Sequence, residues 1–383
     1  MAQWNRVPLI DYIELIGGGT PKTTVPEYWN GNIPWLSVKD FNNDKRYVYS
    51  TEKHISQSGF ENSPTKMLHK DDIIISARGT VGEIAMIPFD MAFNQSCYGI
   101  RASRGIDQPF LYYLLKNCIS QLKRMTHGSV FDTITRDTFA NIEVDIPDAE
   151  TQKRISSVLA DIDNKIEVND AINDNLADLL QTIYQGRFGN DILAVNQGVL
   201  SDICSYSTDK VAVSELNVRT YFSTENMLSG KAGSTEATSL PTTSQTTACH
   251  KGDTLISNIR PYFKKIVYCE DKCGCSTDVL CFTPSQPCYS AYLFSTLYAD
   301  KFFAFMVAGS KGTKMPRGDK QQIMTYPVVL PSEEELAGFN TIASPLLEQI
   351  YSNRAENKRL SILRDTLLPK LMSGEINVSA IQL

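Results

Sequence analysis

The residues best suited to chemistry lie in one cation-rich loop. The segment GSKGTKMPRGDK, residues 309–320, holds Lys311, Lys314, Arg317 and Lys320 within ten residues, against the single acid Asp319. Three glycines allow close approach of the backbone, and backbone amides together with cations bind phosphates. An arginine can also read guanine through two hydrogen bonds in the major groove. The segment therefore predicts contact with nucleic acid.

Patterns of known catalytic centres are missing from the chain. The glycine-rich GGGTPKTT at residues 17–24 lacks the spacing of a phosphate-binding P-loop, and neither a GxSxG nucleophile elbow nor an [ND]PP[FY] methyltransferase step occurs. None of the four histidines has the HExxH spacing of a zinc hydrolase. A faint nuclease-like step after Pro147 has the wrong spacing and lies at a predicted helix start. We therefore expect a binding protein without an active site.

A second loop and two strand ends supply further candidates. The loop HGSVFDTITR, residues 127–136, ends in Arg136, which we match to Arg317 at an offset of 181 residues. A structural salt bridge is the alternative role for both arginines. For Arg78 and Arg260, which each follow a predicted buried strand, DNA contact and structural pairing fit the sequence equally well. The predicted DNA-binding residues are Thr20, Lys22, Lys39, Arg78, His127, Ser129, Thr133, Thr135, Arg136, Arg260, Lys264, Lys311, Thr313, Lys314, Arg317 and Lys320.

The elements that must position these residues occur twice. KDDIIISARG at residues 70–79 reads again as KGDTLISNIR at residues 251–260, and Gly128-Ser129 returns as Gly309-Ser310, both at an offset of 181. A duplication of this length exceeds a solenoid unit and indicates two homologous halves that can each fold. Both halves read as mixed α/β, with strands predicted at residues 73–76 and 254–257 and helices at residues 110–125 and 291–307.

A segment with helical periodicity follows each half. Apolar residues recur at mixed three- and four-residue steps, as in the seam of a coiled coil. The seam positions are Ile155, Leu159, Ile162, Ile166, Leu176, Leu179 and Ile183 in the first segment and Phe339, Ile342, Leu346, Ile350, Leu360, Leu363, Leu367 and Leu371 in the second. Each helix would be about 50–60 Å long, and an antiparallel pair would serve as a spacer.

Two asparagines interrupt each seam at equivalent places. They are Asn169 and Asn173 in the first helix and Asn353 and Asn357 in the second. A buried asparagine pair costs stability but fixes the register of paired helices. The alternative is that these side chains face solvent. The residues we assign to helix pairing are Ile162, Ile166, Asn169, Asn173, Leu176, Leu346, Ile350, Asn353, Asn357 and Leu360.

Composition narrows the class of protein. The start MAQWNRVPLIDY does not resemble a signal peptide, and no apolar run is long enough to span a membrane. Nine scattered cysteines favour a reducing cytosol, and the crowded thiols between Cys269 and Cys288 fit buried strand residues better than a metal site. Residues 1–147, 148–190, 191–331 and 332–383 carry net charges of −1, −4, +1 and −2. The acidity thus lies in the helical segments, which leaves room for basic faces elsewhere.

The sequence resembles the specificity subunits of type I restriction–modification enzymes. GGGTPKTTVPEYWNGNIPWLSVKDF, residues 17–41, is similar to the opening motif of their target recognition domains. ETQKRISSVLADIDNKI from Glu150 and RDTLLPKLMSGEI from Arg364 resemble the two conserved regions of that family. The second half lacks the opening motif and begins LSDICSYSTDK, with YFSTENM at Tyr221, which resembles a different subclass of recognition domain.

The resemblance implies an α+β fold with two mixed α/β target recognition domains in a pseudo-two-fold arrangement, separated by two long antiparallel coiled-coil helices. The domains would be residues 1–147 and 191–331, with conserved spacer helices at residues 148–190 and 332–383. It implies a non-catalytic, cytoplasmic subunit of a bacterium or archaeon that reads a bipartite, asymmetric double-stranded DNA target. Two modification subunits with S-adenosylmethionine and restriction subunits with ATP and Mg²⁺ would be its partners, and this chain would hold no cofactor or metal.

Two other functions stay open at this point. One is the recognition subunit of a combined cleavage and methylation enzyme, which shares these domains but has other catalytic partners. The other is a pseudo-symmetric protein scaffold without a role on DNA. Salt-dependent, sequence-selective DNA binding in the presence of a modification subunit would exclude the scaffold.

Overall fold

The computed structural model describes residues 4–126, 133–189 and 196–378, and these form two compact units. Unit 1 consists of the described residues of Met1–Asn169 and Glu356–Leu383, and unit 2 of Asp170–Ala355. Each unit thus combines one globular region with part of both long helices. The division into four segments stays a prediction, because the boundaries between the two compact units fall inside the long helices rather than at the ends of the predicted segments.

Unit 1 contains ten strands and four shorter helices. The strands are β1 Asn5–Pro8, β2 Ile13–Gly17, β3 Trp29–Leu36, β4 Lys53–Ile55, β5 Met67–Leu68, β6 Ile73–Ser76, β7 Ile84–Met86, β8 Met91–Phe93, β9 Cys97–Ala102 and β10 Glu143–Ile146. The helices are α1 Val38–Phe41, α2 Gln57–Glu61, α3 Gln108–Thr126 and α4 Arg136–Ala140, with 3-10 turns at Leu9–Tyr12 and Pro26–Tyr28. The long helix α5, Ala149–Phe188, follows.

Unit 2 repeats this inventory. Its strands are β11 Gln197–Val199, β12 Cys204–Tyr206, β13 Lys210–Ala212, β14 Tyr221–Phe222, β15 Gln245–Cys249, β16 Thr254–Ser257, β17 Ile266–Tyr268, β18 Cys273–Cys275, β19 Val279–Pro284 and β20 Pro327–Val329. Its helices are α6 Leu200–Ile203, α7 Ser290–Tyr298, α8 Asp300–Ala308 and α9 Lys320–Ile323, with 3-10 turns at Val213–Glu215, Ser229–Lys231, Pro261–Phe263 and Pro287–Tyr289. The second long helix, α10, is Glu333–Met372.

The sheets of the two units share one topology and differ at one edge. The order β2-β9-β6-β7 in unit 1 matches β12-β19-β16-β17 in unit 2, and β1-β10 matches β11-β20. In the remaining sheets, β3-β8-β5 matches β14-β18-β15, with one parallel and one antiparallel pairing in each. The fourth strand joins opposite edges, because β4 pairs with β3 whereas β13 pairs with β15. The two halves therefore share a frame and differ at its rim.

The main core of each unit lies between its sheet and its helices. In unit 1, Ile73 and Ile75 of β6 pack with Phe110 of α3 and with Leu159 and Leu371 of the long helices. In unit 2, Ile256 of β16, Tyr292 of α7 and the long-helix residues Tyr184 and Phe339 belong to one buried cluster. Alternate residues of a strand face one side of the sheet, so Ile74 packs into a second cluster on the other side.

The long helices pair in antiparallel fashion within each unit. In unit 1, the side-chain amide of Asn169 on α5 donates to Oδ1 of Asn357 on α10 at 2.8 Å. In unit 2, Asn353 donates to Oδ1 of Asn173 at 2.9 Å, and the rings of Tyr184 and Phe339 lie 6.4 Å apart. Partner numbers fall on α10 as they rise on α5, which defines the antiparallel direction.

Both long helices begin at capping residues. The backbone N–H of Thr151 donates to Asp148 at 2.9 Å, and this hydrogen bond lowers the pKa of the Asp148 carboxyl. At the start of α10, the N–H of Ser332 donates to Glu335 at 2.8 Å and Glu335 returns a bond to the Ser332 hydroxyl. These bonds satisfy backbone N–H groups that have no partner inside the helix.

Local predictions are confirmed for both central strands and for the first amphipathic helix. Strands span Ile73–Ser76 and Thr254–Ser257, and the helix predicted at residues 110–125 lies within α3. The single helix predicted at residues 291–307 is wrong, because Ala299 is extended (φ −63°, ψ 141°) and separates α7 from α8. This break places Asp300 in a new first turn, where Lys231 and Lys264 reach its carboxylate at 2.8 and 2.9 Å.

Several predicted seam residues are not buried. Leu179, Leu363 and Ile342 are 46%, 46% and 39% exposed, so the prediction that they line the seam is wrong. Three of the four asparagines do not face solvent, since Asn169 is only 1% exposed and Asn173 and Asn353 are each 6% exposed. The fourth, Asn357, is half-buried. No helix among the described residues is both long enough and apolar enough to cross a membrane.

Candidate nucleic-acid interface

A short hairpin in unit 2 carries the cation-rich loop. Lys311 and Arg317 exchange two backbone hydrogen bonds of 2.9 Å, and Gly312 at the turn has φ +99°, a conformation that favours glycine. Ile259, just after β16, forms a bridge with Arg317, and Arg260 donates its N–H to the Pro316 carbonyl at 2.8 Å. The hairpin is therefore attached through its backbone to the end of the central strand.

Two of the predicted cations on this hairpin have acidic partners. Nη2 of Arg317 lies 2.9 Å from Oδ1 of Asp278, and the Lys311 ammonium donates to Asp319, which lowers the pKa of that carboxyl. Lys314, like its neighbour Thr313, is exposed near the turn. The salt bridge that we considered as the alternative role of Arg317 is therefore present, and the arginine is also exposed.

Asp319 also explains why the loop ends where it does. Its Oδ1 accepts the N–H of Gln321 at 3.0 Å and so caps α9, which starts at Lys320. Nζ of Lys320 lies 5.9 Å from the centre of the Tyr206 ring, a cation–π contact at the edge of the usual range.

The two cations that follow β16 have more constrained surroundings. Arg260 and Lys264 both have positive φ, +50° and +51°, and flank a 3-10 turn. Arg260 is half-buried, whereas Nζ of Lys264 pairs with Asp300 at 2.9 Å. Between them Tyr262 and Phe263 are 50% and 38% exposed, with ring centres 4.8 Å apart. This aromatic pair is not among the residues predicted from the sequence, although RPYFKK, with aromatics between cations, is a visible signal.

In unit 1 the corresponding region follows β6. Arg78 forms an isolated antiparallel bridge with Thr133, and Ile134 donates its N–H to the Ala77 carbonyl at 3.0 Å. Arg78 is exposed, and its own N–H donates to the Ser96 carbonyl at 3.2 Å. The structure therefore brings Arg78 and Thr133 together. His127 and Ser129 lie outside the described residues.

Thr135 and Arg136 begin the short helix α4. Thr135 is the N-cap, and its hydroxyl accepts the N–H of Thr138 at 3.4 Å, so this threonine has a structural role in the free chain. Arg136 is exposed and has no ion-pair partner among the described residues.

The match of Arg136 to Arg317 is wrong. The N-caps Thr135 and Asp319 are equivalent, and so are the first helical residues Arg136 and Lys320, at an offset of 184 rather than 181. The bridges agree, because Thr133 and Arg317 occupy the same place opposite the strand end. The offset is 181 at β6 and β16 and 182 at β9 and β19, so the second half contains three more residues than the first between the central strand and the N-cap.

The glycines of the opening motif are set by packing. A Cβ on Gly18 would lie 2.1 Å from the Asn94 carbonyl oxygen, and one on Gly19 would lie 2.3 Å from the Thr65 nitrogen. The indole N–H of Trp35 donates to the Gly19 carbonyl at 3.1 Å. Because side chains would collide at both glycines, this motif fastens the strand β2 to its neighbours.

The motif also positions one of the predicted DNA-binding residues. Thr20 follows the glycines and donates its hydroxyl to Gln95, the residue before Ser96. Thr20 is thereby near the Arg78 bridge, whereas no contact among the described residues links Lys22 or Lys39 to it. Nζ of Lys39 lies 4.0 Å from Glu52, and the Lys22 carbonyl accepts the Trp29 N–H at 3.2 Å.

The remaining helix-pairing residues vary in burial. Ile350 is 5% exposed, while Ile162, Ile166, Leu176, Leu346 and Leu360 are half-buried. The long helices of unit 1 share a buried ion pair, in which Nη1 of Arg364 lies 2.9 Å from Oδ1 of Asp163. Burial disfavours the charge of Arg364, but the carboxylates of Asp44 and Asp163 outweigh it and raise its pKa.

Four of the five crowded cysteines lie in a buried cluster of unit 2, together with a cysteine that was not in the predicted set. Cys249 joins Cys269, Cys273, Cys275 and Cys281 in the core, with Cys269 and Cys273 sulfurs 3.5 Å apart, whereas Cys288 is exposed and separate. Within the described ranges, no group of three or more His, Cys, Asp or Glu residues is placed to hold a metal ion.

Comparison with known proteins identifies a consistent set of relatives. Residues 1–177 match the family model described as type I restriction modification DNA specificity domain. The type I restriction enzyme MjaIX specificity subunit of Methanocaldococcus jannaschii is 24% identical over 98% of this chain and 94% of its own length. The EcoR124I/EcoR124II specificity subunit of Escherichia coli is 28% identical over 38% of each chain.

A solved structure shows the same fold. The crystal structure of the type I restriction–modification S subunit from M. genitalium covers 97% of this chain and 96% of its own, with a TM-score of 0.56 and 17% identity.

Proposed function

Because the chain belongs to the family of type I restriction–modification specificity subunits, we propose that it reads a bipartite, asymmetric DNA target for a modification and restriction complex. In this proposal two modification subunits, which use S-adenosylmethionine, and restriction subunits, which use ATP and Mg²⁺, dock on this chain. The chain itself supplies recognition and no catalytic residue. Its target and partners place it in the cytoplasm of a bacterium or archaeon.

The observation that carries the proposal is that the two units share a sheet topology but differ in their edge strands and in the loops bridged to the central strands. Each unit attaches a loop to the end of its central strand by one bridge, at Arg78 and at Ile259. The bridged loops have different residues, and the edge strands β4 and β13 join opposite sides of otherwise matching sheets. Two homologous units with different loops and edge strands favour a DNA target with two different half-sites.

Properties of the long helices support a role as spacer and docking surface. Each has 40 residues, about 60 Å at 1.5 Å per residue. The asparagine pairs hold one register, which would give the two half-sites a fixed separation. Apolar side chains that remain exposed support protein docking. They are Val168, Ile172 and Leu179 on α5 and Ile342, Ile362 and Leu363 on α10.

The decisive test maps methylated adenines across a genome with and without this gene, in a host that supplies the cognate modification subunit. We expect one asymmetric motif with two defined half-sites and a constant gap to appear only when the chain is present. A palindromic motif would contradict the asymmetric target, and an unchanged methylation pattern would contradict the proposed function.

Charge removal tests the loop of unit 2. We expect the triple change Lys311→Gln, Lys314→Gln and Arg317→Gln to weaken DNA binding and to reduce the slope of log K against log salt by about 2–3, as for two or three lost phosphate contacts. Assembly with the modification subunit should stay intact, as measured by size-exclusion chromatography with light scattering.

A matched control removes three lysines of unit 2 that precede or begin strands, whereas the loop is bridged to the residue Ile259 that follows the end of β16. Lys251 precedes β16, Lys272 lies in the turn before β18, and Lys210 begins β13. Their triple change to glutamine removes the same amount of positive charge as the loop variant. Because the proposal gives these lysines no phosphate contact, the slope of log K against log salt should stay within about one unit of the wild type. Equal losses in both triple variants would assign the effect to net charge and contradict the role of the loop.

A further inference from the structure

In both units an isolated backbone bridge joins the residues after the central strand to a later loop. Each bridge contains an arginine, but the two arginines lie on opposite sides of their bridges. In unit 1, Arg78 follows the central strand and its partner is Thr133. In unit 2, the position equivalent to Arg78 is Ile259, and its partner on the loop is Arg317. Each bridge therefore contains one arginine, contributed by the strand in unit 1 and by the loop in unit 2. Neither the offset of 181 nor the offset of 184 residues pairs these two arginines.

The geometry of the bridge allows both arginines to reach corresponding places in their own units. In an antiparallel pair, residues directly opposite each other point to the same face of the sheet, with Cβ atoms about 4.5–5.5 Å apart. An arginine side chain is longer than this separation, so Arg78 and Arg317 can present their guanidinium groups over the same part of their respective units. Both are exposed.

In unit 2 the arginine is held in place from several sides. Its backbone pairs with both Lys311 and Ile259, and Nη2 lies 2.9 Å from Asp278. The Asp278 carbonyl accepts the N–H of Asn258 at 2.8 Å, and Asn258 accepts the N–H of Gly318 at 3.3 Å. The arginine and its carboxylate partner are thus tied to one backbone network.

In unit 1 the residue equivalent to Asp278 is uncharged. It is Ser96, whose backbone carbonyl accepts the N–H groups of Ala77 and Arg78 at 2.8 and 3.2 Å. Ser96 precedes β9 as Asp278 precedes β19, and both adjoin the bridge. The carboxylate partner is therefore a feature of the unit that supplies its arginine from the loop.

We infer that Arg78 and Arg317 are equivalent specificity-determining residues, each reading a guanine in the half-site of its own unit, and that Asp278 is a positioning residue for Arg317. This inference rests on the proposed function. The described residues engage only Nη2 of Arg317, which leaves N–H groups for the O6 and N7 acceptors of guanine. A fixed guanidinium loses less entropy on binding, so Asp278 favours the base contact.

The test uses the full complex of this chain with its modification subunit and reads methylation at DNA sites that differ at single positions. We expect Arg317→Ala to reduce discrimination by roughly 10- to 100-fold at one guanine of one half-site, and Arg78→Ala to do so in the other half-site. Asp278→Asn should relax the same position as Arg317→Ala by a smaller factor, without changing the salt slope of nonspecific binding. Asp278→Glu should restore part of the discrimination.

Moving the arginine across the bridge tests equivalence directly. The double variant Ile259→Arg/Arg317→Thr keeps one arginine at the bridge but takes it from the strand, as in unit 1. We expect it to discriminate better than Arg317→Thr alone. Arg219→Ala serves as the control for unit 2, because Arg219 is also an exposed arginine paired with a carboxylate, Glu236, at 3.1 Å. It should leave the motif unchanged.

The outcomes separate the inference from the proposed function. If the complex methylates a bipartite motif but neither arginine variant relaxes either half-site, the inference is wrong and the function stands. If Arg317→Ala relaxes one position and Asp278→Asn does not, the positioning role of Asp278 is wrong. If the double variant is no better than Arg317→Thr, the equivalence is wrong. If no methylation depends on this chain, the proposed function itself fails.

Discussion

Replacing Arg364 by methionine should destabilise unit 1 more than any exposed charge change on the same helix. The guanidinium is 3% exposed and contacts three carboxylates, those of Asp163 at 2.9 Å, Asp44 at 2.7 Å and Asp365 at 2.8 Å. Methionine fills a similar volume but has no charge. The main consequence is therefore that Asp163, 4% exposed, loses its cation inside the protein.

The magnitude follows from which partners remain. Breaking a buried ion pair by removing one member costs about 3–5 kcal/mol, because an uncompensated charge stays buried. Asp163 still accepts the hydroxyl of Tyr113 at 2.7 Å, and the charge of Arg46 acts on it. Asp44 is largely exposed and keeps Lys116 at 2.8 Å, so it adds little. We therefore expect a loss of about 3 kcal/mol, the lower end of that range.

Chemical and thermal denaturation, each followed by circular dichroism and by tryptophan fluorescence, provide the assay. For a unit of this size, a loss of about 3 kcal/mol corresponds to a melting temperature lower by roughly 6–12 °C. Arg359→Met is the matched control, since Arg359 is exposed on the same helix. It should change the free energy of unfolding by less than about 0.5 kcal/mol.

A double-mutant cycle with Asp163→Asn tests the cause. Asparagine keeps an acceptor for Tyr113 and removes the buried charge, so Arg364→Met/Asp163→Asn should be more stable than Arg364→Met alone. If the two losses simply add, or if Arg364→Met costs less than about 1 kcal/mol, the contact behaves as a surface salt bridge and the reasoning from burial fails.

Three further predictions concern packing, register and pH. Gly18→Ala should cost about 1–3 kcal/mol in the free energy of unfolding, because its Cβ would lie 2.1 Å from the Asn94 oxygen. Asn173→Ala should cost about 1–3 kcal/mol, because it leaves the buried amide of Asn353 without its acceptor at 2.9 Å. Hydrogen bonds from two lysines lower the pKa of Asp300, so its carboxylate stabilises unit 2 above its ordinary pKa and this contribution disappears as pH falls through the lowered value. Asp300→Asn should therefore be less stable than the wild type at about pH 7, and in urea titrations this difference should be smaller at about pH 2.

Each of these predictions has a control and a contrary outcome. Gly17→Ala should be tolerated, since nothing lies within 4 Å of a Cβ there, and equal losses at both glycines would contradict the packing argument. Asn175→Ala changes an exposed asparagine of the same helix and should be nearly neutral. A stability difference between Asp300→Asn and the wild type that is the same at both pH values would show that the carboxylate charge has no part in it.

The sequence by itself predicted the long helices and the central strands and indicated the family. Helical periodicity over some 40 residues depends on local spacing, so both long helices were predictable, as were the central strands Ile73–Ser76 and Thr254–Ser257. The asparagines at equivalent places in the two seams identified polar positions in the helix pair. Motifs near Gly18 and Arg364 indicated the specificity-subunit family, because they are unbroken stretches of chain.

Only the tertiary structure decided which residues meet. The proposed equivalence of Arg78 and Arg317 depends on a bridge between segments far apart in the chain, and three additional residues in the second half shift the sequence offset from 181 to 184 before that bridge is reached. The exposure of Leu179 and Leu363 likewise depends on where the partner helix lies rather than on hydrophobic spacing. Local spacing fixes the geometry within an element, whereas hydrogen bonds and packing between distant segments fix its neighbours.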